Sequence, residues 1–169
     1  MKARRSSLAL AFLLAASHLA GADLPTGASV TAGAATISTQ GSAMTVNQST
    51  AKAVINWQGF SVGAGHSVQF QQPDASAVVL NRVTGSEASV ISGALSANGN
   101  VFLVNPNGVL FHAGAQVDVG GLVASTLAIR DNDFLAGNYV FDGAGAGIIA
   151  NHGRLTAVGD GRGGVIALL

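Results

Sequence analysis

The sequence predicts an all-β parallel β-helix, a solenoid whose short strands turn at corners rich in Gly and Asn. Composition is the first reason: Gly supplies 23 of the 169 residues, apolar residues 49 % and charged residues only 9 %. So few charges leave little material for helices with a solvated face, whereas Val, Ser, Thr and Asn suit short strands and tight turns. The high apolar content also argues against a disordered chain.

A soft internal repeat is the second reason. Residues 93–97 and 153–157 share the pattern Gly-x-Leu-Ser/Thr-Ala, and residues 114–118 are a looser relative. Their spacing is close to one and two units of about 20 residues, which is typical of solenoids in which each unit buries its apolar face against the next. A leucine-rich repeat would need several leucines at fixed offsets and a helical return, and this sequence has neither.

A well-formed turn between two apolar segments is the third reason. Residues 101–104 and 109–111 predict two short buried strands. Between them, Asn105, Pro106, Asn107 and Gly108 fit a type I turn, because Asn accepts a backbone hydrogen bond, Pro presets φ and Gly relaxes the exit. The turn has more amide capacity than its own backbone needs. The sequence therefore leaves two interpretations open, a structural corner alone or a corner that a partner also recognises.

The N-terminus predicts export. Lys2, Arg4 and Arg5 precede an apolar run at residues 8–16, and Ala-Gly-Ala at residues 20–22 resembles a cleavage site, so residues 1–22 predict a signal peptide. No later segment approaches the ~18 uninterrupted apolar residues of a transmembrane helix. Without the signal, five basic residues face eight acidic ones. Such a mildly acidic domain has no basic stripe for nucleic acid.

The first strands predict a cap on the solenoid. Residues 23–33 are a lead-in with Gly, Ala and Pro, and residues 36–39 and 43–47 then predict a hairpin around a Gly-containing loop. The hairpin is placed to cover the open sheet edge of the first coil. Further strands are predicted at residues 53–57, 67–71 and 78–83, and the aromatic residues Trp57 and Phe60 are expected to anchor the core under the cap.

Alternation along the later segments assigns side chains to the two faces of each strand. We expect Gln116 and Asp118 to point outward, and residues 130–137, with Asp131 and Asp133, to form a surface excursion between coils. The residues expected to point inward are Val101, Leu103, Val117, Val119, Leu155, Ala157 and Val165.

Several segments together resemble a known family. They resemble the N-terminal two-partner secretion domain of filamentous-haemagglutinin-type exoproteins, also called the haemagglutination activity domain, over about residues 33–169. The resemblance implies a right-handed parallel β-helix with an N-terminal cap. The segments that carry it, in order, are residues 55–63, 68–73, 80–83, 91–99, 101–111 and 115–126.

The resemblance also implies a function and a partner. Residues 1–22 would be the signal peptide and residues 23–169 the secretion domain, with the cap at about 33–60 and the coils at about 61–169. In the family, this domain is recognised by the periplasmic domains of an outer-membrane β-barrel transporter, crosses unfolded and helps start folding at the cell surface. The family's Asn-Pro-Asn-Gly motif falls on Asn105, Pro106, Asn107 and Gly108, whereas a second motif of the Asn-Pro-Asn-Leu kind is not found.

The length of the chain also differs from the family pattern. Family exoproteins continue into long adhesin, haemolysin or toxin regions. This sequence stops at Leu169, within a predicted coil. The resemblance therefore leads us to expect a truncated copy or a fragment.

Enzymatic and metal chemistry find little support in the sequence. His66, His112 and His152 lack metal-ligand spacing, and Asp118 and Asp142 belong to no dense acidic cluster or EF-hand order. No catalytic residue, cofactor or metal is therefore predicted. The alternatives to secretion are an adhesin that binds host glycan or protein through its outer face and, less well supported, a carbohydrate-active β-helix enzyme.

Overall fold

The computed structural model describes residues 23–143, 145–159 and 163–169, so the signal peptide predicted at residues 1–22 lies outside it. The described residues form short strands, as the Gly- and Val-rich sequence predicts, and one short helix, which it did not predict. In chain order these elements are β1 (Ser29–Ala32), β2 (Ala35–Gln40), β3 (Ala43–Gln48), β4 (Lys52–Trp57), β5 (Ser67–Gln71), β6 (Val78–Val83), β7 (Ser89–Ile91), β8 (Ala94–Ala97), β9 (Asn100–Val104), β10 (Val109–Phe111), β11 (Gln116–Val119), β12 (Gly121–Ser125), α1 (Asp131–Ala136), β13 (Ile149–Asn151), β14 (Arg154–Ala157) and β15 (Ile166–Leu168).

Three sheets run along the solenoid. Sheet A has the order β1-β4-β6-β9-β12-β15, sheet B the order β2-β3-β5-β8-β11-β14, and sheet C the order β7-β10-β13. Each full coil supplies one strand to sheet B, then one to sheet A, then one to sheet C, as β5, β6 and β7 do. The strands of successive coils pair in parallel. The predicted parallel β-helix is confirmed.

The N-terminal end is capped by antiparallel strands. The predicted hairpin is present, since β2 pairs antiparallel with β3, which begins the parallel stack of sheet B. Strand β1, which the sequence did not predict, lies in the predicted lead-in and pairs antiparallel with β4. Its residues are mostly exposed and show no alternation, so pairing with β4 rather than local pattern makes this segment a strand.

The internal repeat is present in the structure, but its middle copy begins one residue later than the sequence predicts. Val117 pairs with Leu95 and with Leu155, so Ala115, rather than Gly114, corresponds to Gly93 and Gly153. The corner before β11 spans residues 112–115, whereas the corresponding corners of the neighbouring coils span only 92–93 and 152–153. Because this corner is two residues longer, Gly114 lies one residue before the true equivalent, Ala115.

The interior between the three sheets holds the main core. The inward positions Val101, Leu103, Val117 and Val119 are buried as expected. Leu155 and Ala157 are partly buried, and Gln116 and Asp118 are exposed as expected.

The inward assignment of Val165 is wrong, because this residue is 70 % exposed. Strand β15 pairs Ile166 with the buried Leu122 of β12, so the inward position is Ile166. A shift of one residue along a strand exchanges its two faces.

The excursion at residues 130–137 covers the outside of sheet A. It contains α1, whose Phe134 is fully buried and packs edge-on against Phe102 of β9, with ring centroids 5.8 Å apart. The prediction of an excursion between coils is therefore right, but its purely surface character is wrong. A second core lies between this helix and sheet A, and its buried members are Val54, Val78, Leu80, Phe102, Val104, Ile129 and Phe134.

Two basic side chains of sheet A hold the helix in place. Lys52 Nζ donates to the carbonyl oxygens of Phe134 and Leu135 at 3.1 and 2.8 Å, at the C-terminal end of α1. Arg82 donates to Asp131 Oδ1 at 2.6 Å and to the Ile129 carbonyl at 2.7 Å, at the N-terminal end. Cations suit the last carbonyls of a helix, and an acidic residue suits its first turn.

Candidate functional site

Asn105, Pro106, Asn107 and Gly108 form the corner between β9 and β10. The backbone N–H of Gly108 donates to the Asn105 carbonyl at 3.0 Å, which closes the predicted turn. The N–H of Asn107 donates to Asn105 Oδ1 at 2.9 Å. Gly108 adopts φ = +114°, a conformation that other residues rarely adopt. Local sequence therefore accounts for the shape of this corner.

The side chain of Asn105 is fully buried, and its amide is fully used. Its Nδ2 donates to the Glu87 carbonyl at 3.0 Å and to Ser89 Oγ at 2.9 Å. Its Oδ1 accepts from both the backbone N–H and the Nδ2 of Asn107. The surplus amide capacity that the sequence suggested therefore does not reside in Asn105, whose two donors bind the preceding coil.

The corner is also bonded to the following coil. The N–H of Asn105 donates to the Ser125 carbonyl at 2.9 Å, and the Pro106 carbonyl accepts from Gly147 at 2.9 Å. A Cβ atom on Gly108 would lie 2.8 Å from the Ile148 carbonyl oxygen. The corner thus joins three successive coils, and its close packing leaves no room for a larger residue at Gly108.

Pro106 and Asn107 form the exposed side of the corner. Asn107 Nδ2 donates to the Gly85 carbonyl of the preceding coil at 2.9 Å and to Asn105 Oδ1 at 3.2 Å. A partner that met the folded domain here would meet the exposed residues Pro106 and Asn107. The corner therefore has a buried half that builds the fold and a small exposed half.

Trp57 and Phe60 lie in the main core, each 1 % exposed, next to the cap. Their rings pack edge to face with centroids 5.4 Å apart, and Phe60 stacks on Phe70 at 6.5 Å. Trp57 Nε1 donates to Asn81 Oδ1 at 3.0 Å. Asn81, a fully buried amide in β6, is not among the residues predicted from the sequence. An Asn within an apolar strand is the signal that could have found it.

The remaining polar groups assemble no catalytic centre in the described part of the chain. There, no three His, Asp or Glu side chains come together as a metal site. Hydrogen bonds from Ser76 lower the pKa of the exposed Asp74, and burial raises the pKa of Tyr139, which packs beside α1. Neither group lies at the corner. No helix in the described segments is long and apolar enough to cross a membrane.

These features define a class of protein. A parallel β-helix with a capped N-terminal end, whose corner at residues 105–108 is hydrogen-bonded to both neighbouring coils, is a capped solenoid domain. Residues 22–167 match the family described as TPS secretion domain. The chain belongs to this family, the secretion domains of two-partner exoproteins.

Similar proteins come from Haemophilus influenzae. Two curated relatives there, each named heme/hemopexin-binding protein, are 49 % identical, one over 111 residues and the other over 83. These alignments cover 66 % and 49 % of this chain but only 12 % and 9 % of the relatives. The chain thus spans a small fraction of the relatives' length.

A solved structure has the same fold. The crystal structure of the HMW1 secretion domain from Haemophilus influenzae superposes with a TM-score of 0.76 and 33 % sequence identity. The match covers 85 % of this chain and 38 % of that one. Fold and sequence family therefore agree that this is a secretion domain.

Proposed function

We propose that this domain is recognised in the periplasm by the periplasmic domains of a partner outer-membrane β-barrel transporter and starts folding of its exoprotein at the cell surface. Its membership of the secretion-domain family supports the role. In this proposal the predicted signal peptide delivers the chain to the periplasm, and the domain carries no enzymatic activity.

The composition of the chain suits passage in an unfolded state. The chain has no cysteine, so no disulfide can form in the oxidising periplasm and lock a folded form before transport. Its segments are short and β-prone, and an extended segment can add to an exposed sheet edge by β-augmentation. We propose this mode of contact with the transporter.

The observation that carries the folding role is the arrangement around Asn105. This side chain binds the preceding coil through Glu87 and Ser89, while its backbone binds the following coil through Ser125. Coils of a solenoid contact mainly their neighbours, so folding can propagate from one to the next. A corner that joins three coils at once favours this stacking once the chain has emerged. We therefore propose that Asn105 serves export by promoting folding rather than by direct contact with the transporter.

A directly acting adhesin is the alternative function, with a host glycan or host protein as partner. The relatives' name would extend it to haem or hemopexin. The aligned segment is 12 % of the longer-matched relative, so a ligand of that whole protein has no necessary place on this domain. We therefore favour the secretion function for this chain.

The proposal is tested by removing the transporter. The protein should be found in the medium or at the surface of a strain carrying the cognate transporter, and should accumulate in the periplasm when the transporter gene is deleted. A periplasmic protein with its own signal peptide serves as the control and should keep its location. Undiminished surface release without the transporter would overturn the proposal.

A further inference from the structure

Two histidines that are far apart in sequence lie side by side in the fold. Strands β10 and β13 pair in parallel, with Phe111 opposite Asn151. The next residues are His112 and His152, and the N–H of His152 donates to the Phe111 carbonyl at 2.8 Å, as part of this last pair of the ladder. The two histidines therefore leave the paired strands side by side, on successive coils. No sequence spacing reveals them as a pair, because they come from different coils.

Both side chains are exposed on the outside of the corner that leads from sheet C to sheet B. In β10, Val109 and Phe111 are buried, so the alternation turns His112 outward, and both histidines are exposed. The residues just before them, Phe111 and Asn151, are paired in parallel strands that lie about 4.8 Å apart. A Cβ atom on Gly153 would lie 2.7 Å from the His112 carbonyl oxygen. The two coils are thus in contact at this corner.

We propose that His112 and His152 together bind a divalent transition-metal ion of the kind that imidazole prefers, such as Zn²⁺, Ni²⁺ or Cu²⁺. Imidazole nitrogens bind zinc at about 2.0–2.1 Å, and two outward rings on adjacent strands can both reach one ion between them. The exposed corner lets water complete the coordination.

Such a site would exist only in the folded domain. Its two ligands belong to successive coils, so the ion would join the coil of β10 to the coil of β13. Metal binding of this kind is coupled to folding, because the unfolded chain does not hold the ligands together. The ion would stabilise the stacked coils by an amount that rises with the logarithm of its free concentration once that exceeds the dissociation constant.

The test measures binding of Zn²⁺ and Ni²⁺ alone by calorimetry. It uses the full-length chain without a histidine tag and with His18→Ala, which removes the imidazole of the predicted signal peptide. One ion should bind per chain, and the thermal unfolding midpoint should rise with metal concentration. Either His112→Ala or His152→Ala should weaken binding roughly a hundredfold, because a second ligand on the same scaffold acts at high effective concentration.

His66→Ala provides the matched control. His66 lies at the same corner of an earlier coil, where its Nδ1 is 3.2 Å from the Ala64 carbonyl oxygen. Its replacement should leave the affinity unchanged, and urea-unfolded protein should lose the site. Each variant is checked for its fold by circular dichroism. Absence of binding by the folded protein, an equal loss with His66→Ala, or retention of full affinity in urea would overturn the proposal.

Discussion

The outer faces of sheets A and B differ although the same coils build both. Sheet A is apolar on the outside and is covered by α1, with Leu80 and Phe102 buried in a second core. Sheet B presents Gln69, Ser96 and Asp118 in register on its outer face. These side chains are exposed or half-buried. The covered sheet has strands with consecutive apolar residues, whereas the open sheet alternates, because a strand buried on both sides needs no polar face.

The largest expected effect on stability comes from weakening the packing of α1 against the outer face of sheet A. Phe134→Ala deletes a fully buried ring from the second core and should lower the free energy of unfolding by about 3–5 kcal/mol. Urea denaturation measures this loss. The neighbouring Leu135 is 40 % exposed, so Leu135→Ala is the matched control and should cost far less. Equal losses for the two variants would show that the second core does not form.

A smaller effect is expected from weakening the attachment of the C-terminal end of α1 to sheet A. Lys52→Met keeps most of the aliphatic stem but removes the two hydrogen bonds to the last carbonyls of α1, which should cost about 1–3 kcal/mol. Hydrogen exchange should speed up in α1 more than in sheet B. Arg154→Met, an exposed change on sheet B, is the control and should leave α1 protection unaltered. Unchanged hydrogen exchange of α1 in Lys52→Met would contradict the conclusion that Lys52 holds the C-terminal end of α1 in place.

The smallest effect is expected on the open face. Gln69→Thr replaces an exposed side chain of β5 and should change stability by no more than about 0.5 kcal/mol. The same residue introduced at a covered position, Leu80→Thr, should cost several times more, because it removes buried apolar surface. Thermal unfolding of the two variants compares the faces directly. A large loss in Gln69→Thr would mean that sheet B is also covered.

The sequence predicted the features that depend on local pattern. Strands β9 and β10, the turn at Asn105 and the β2–β3 hairpin follow from apolar runs, alternation and turn residues. The sequence did not predict the features that tertiary contacts determine. Strand β1 forms through pairing with β4, and Val165 faces outward because of the register of β15.

At the candidate site too, the sequence predicted local features but not contacts between coils. The sequence identified the four residues of the corner and its turn shape. It could not show that the side-chain amide of Asn105 donates hydrogen bonds to Glu87 and Ser89, since those groups belong to the preceding coil. Nor could it show that Phe134 is buried on sheet A, because a helix of six residues in a charged segment looks like a surface loop. Contacts between coils are invisible to a pattern read along one coil.

The central claim is that Asn105 serves export through folding, and one measurement compares it with a distant residue. In Asn105→Asp, a buried carboxylate faces the Glu87 carbonyl in place of a donor, which should cost about 3 kcal/mol or more. Phe134→Ala should destabilise the domain to a similar extent without touching the corner. Surface release in a strain carrying the transporter is then measured for both variants and set against their free energies of unfolding. Equal losses of release at equal destabilisation are predicted, whereas abolished release in Asn105→Asp with normal release in Phe134→Ala would contradict the claim.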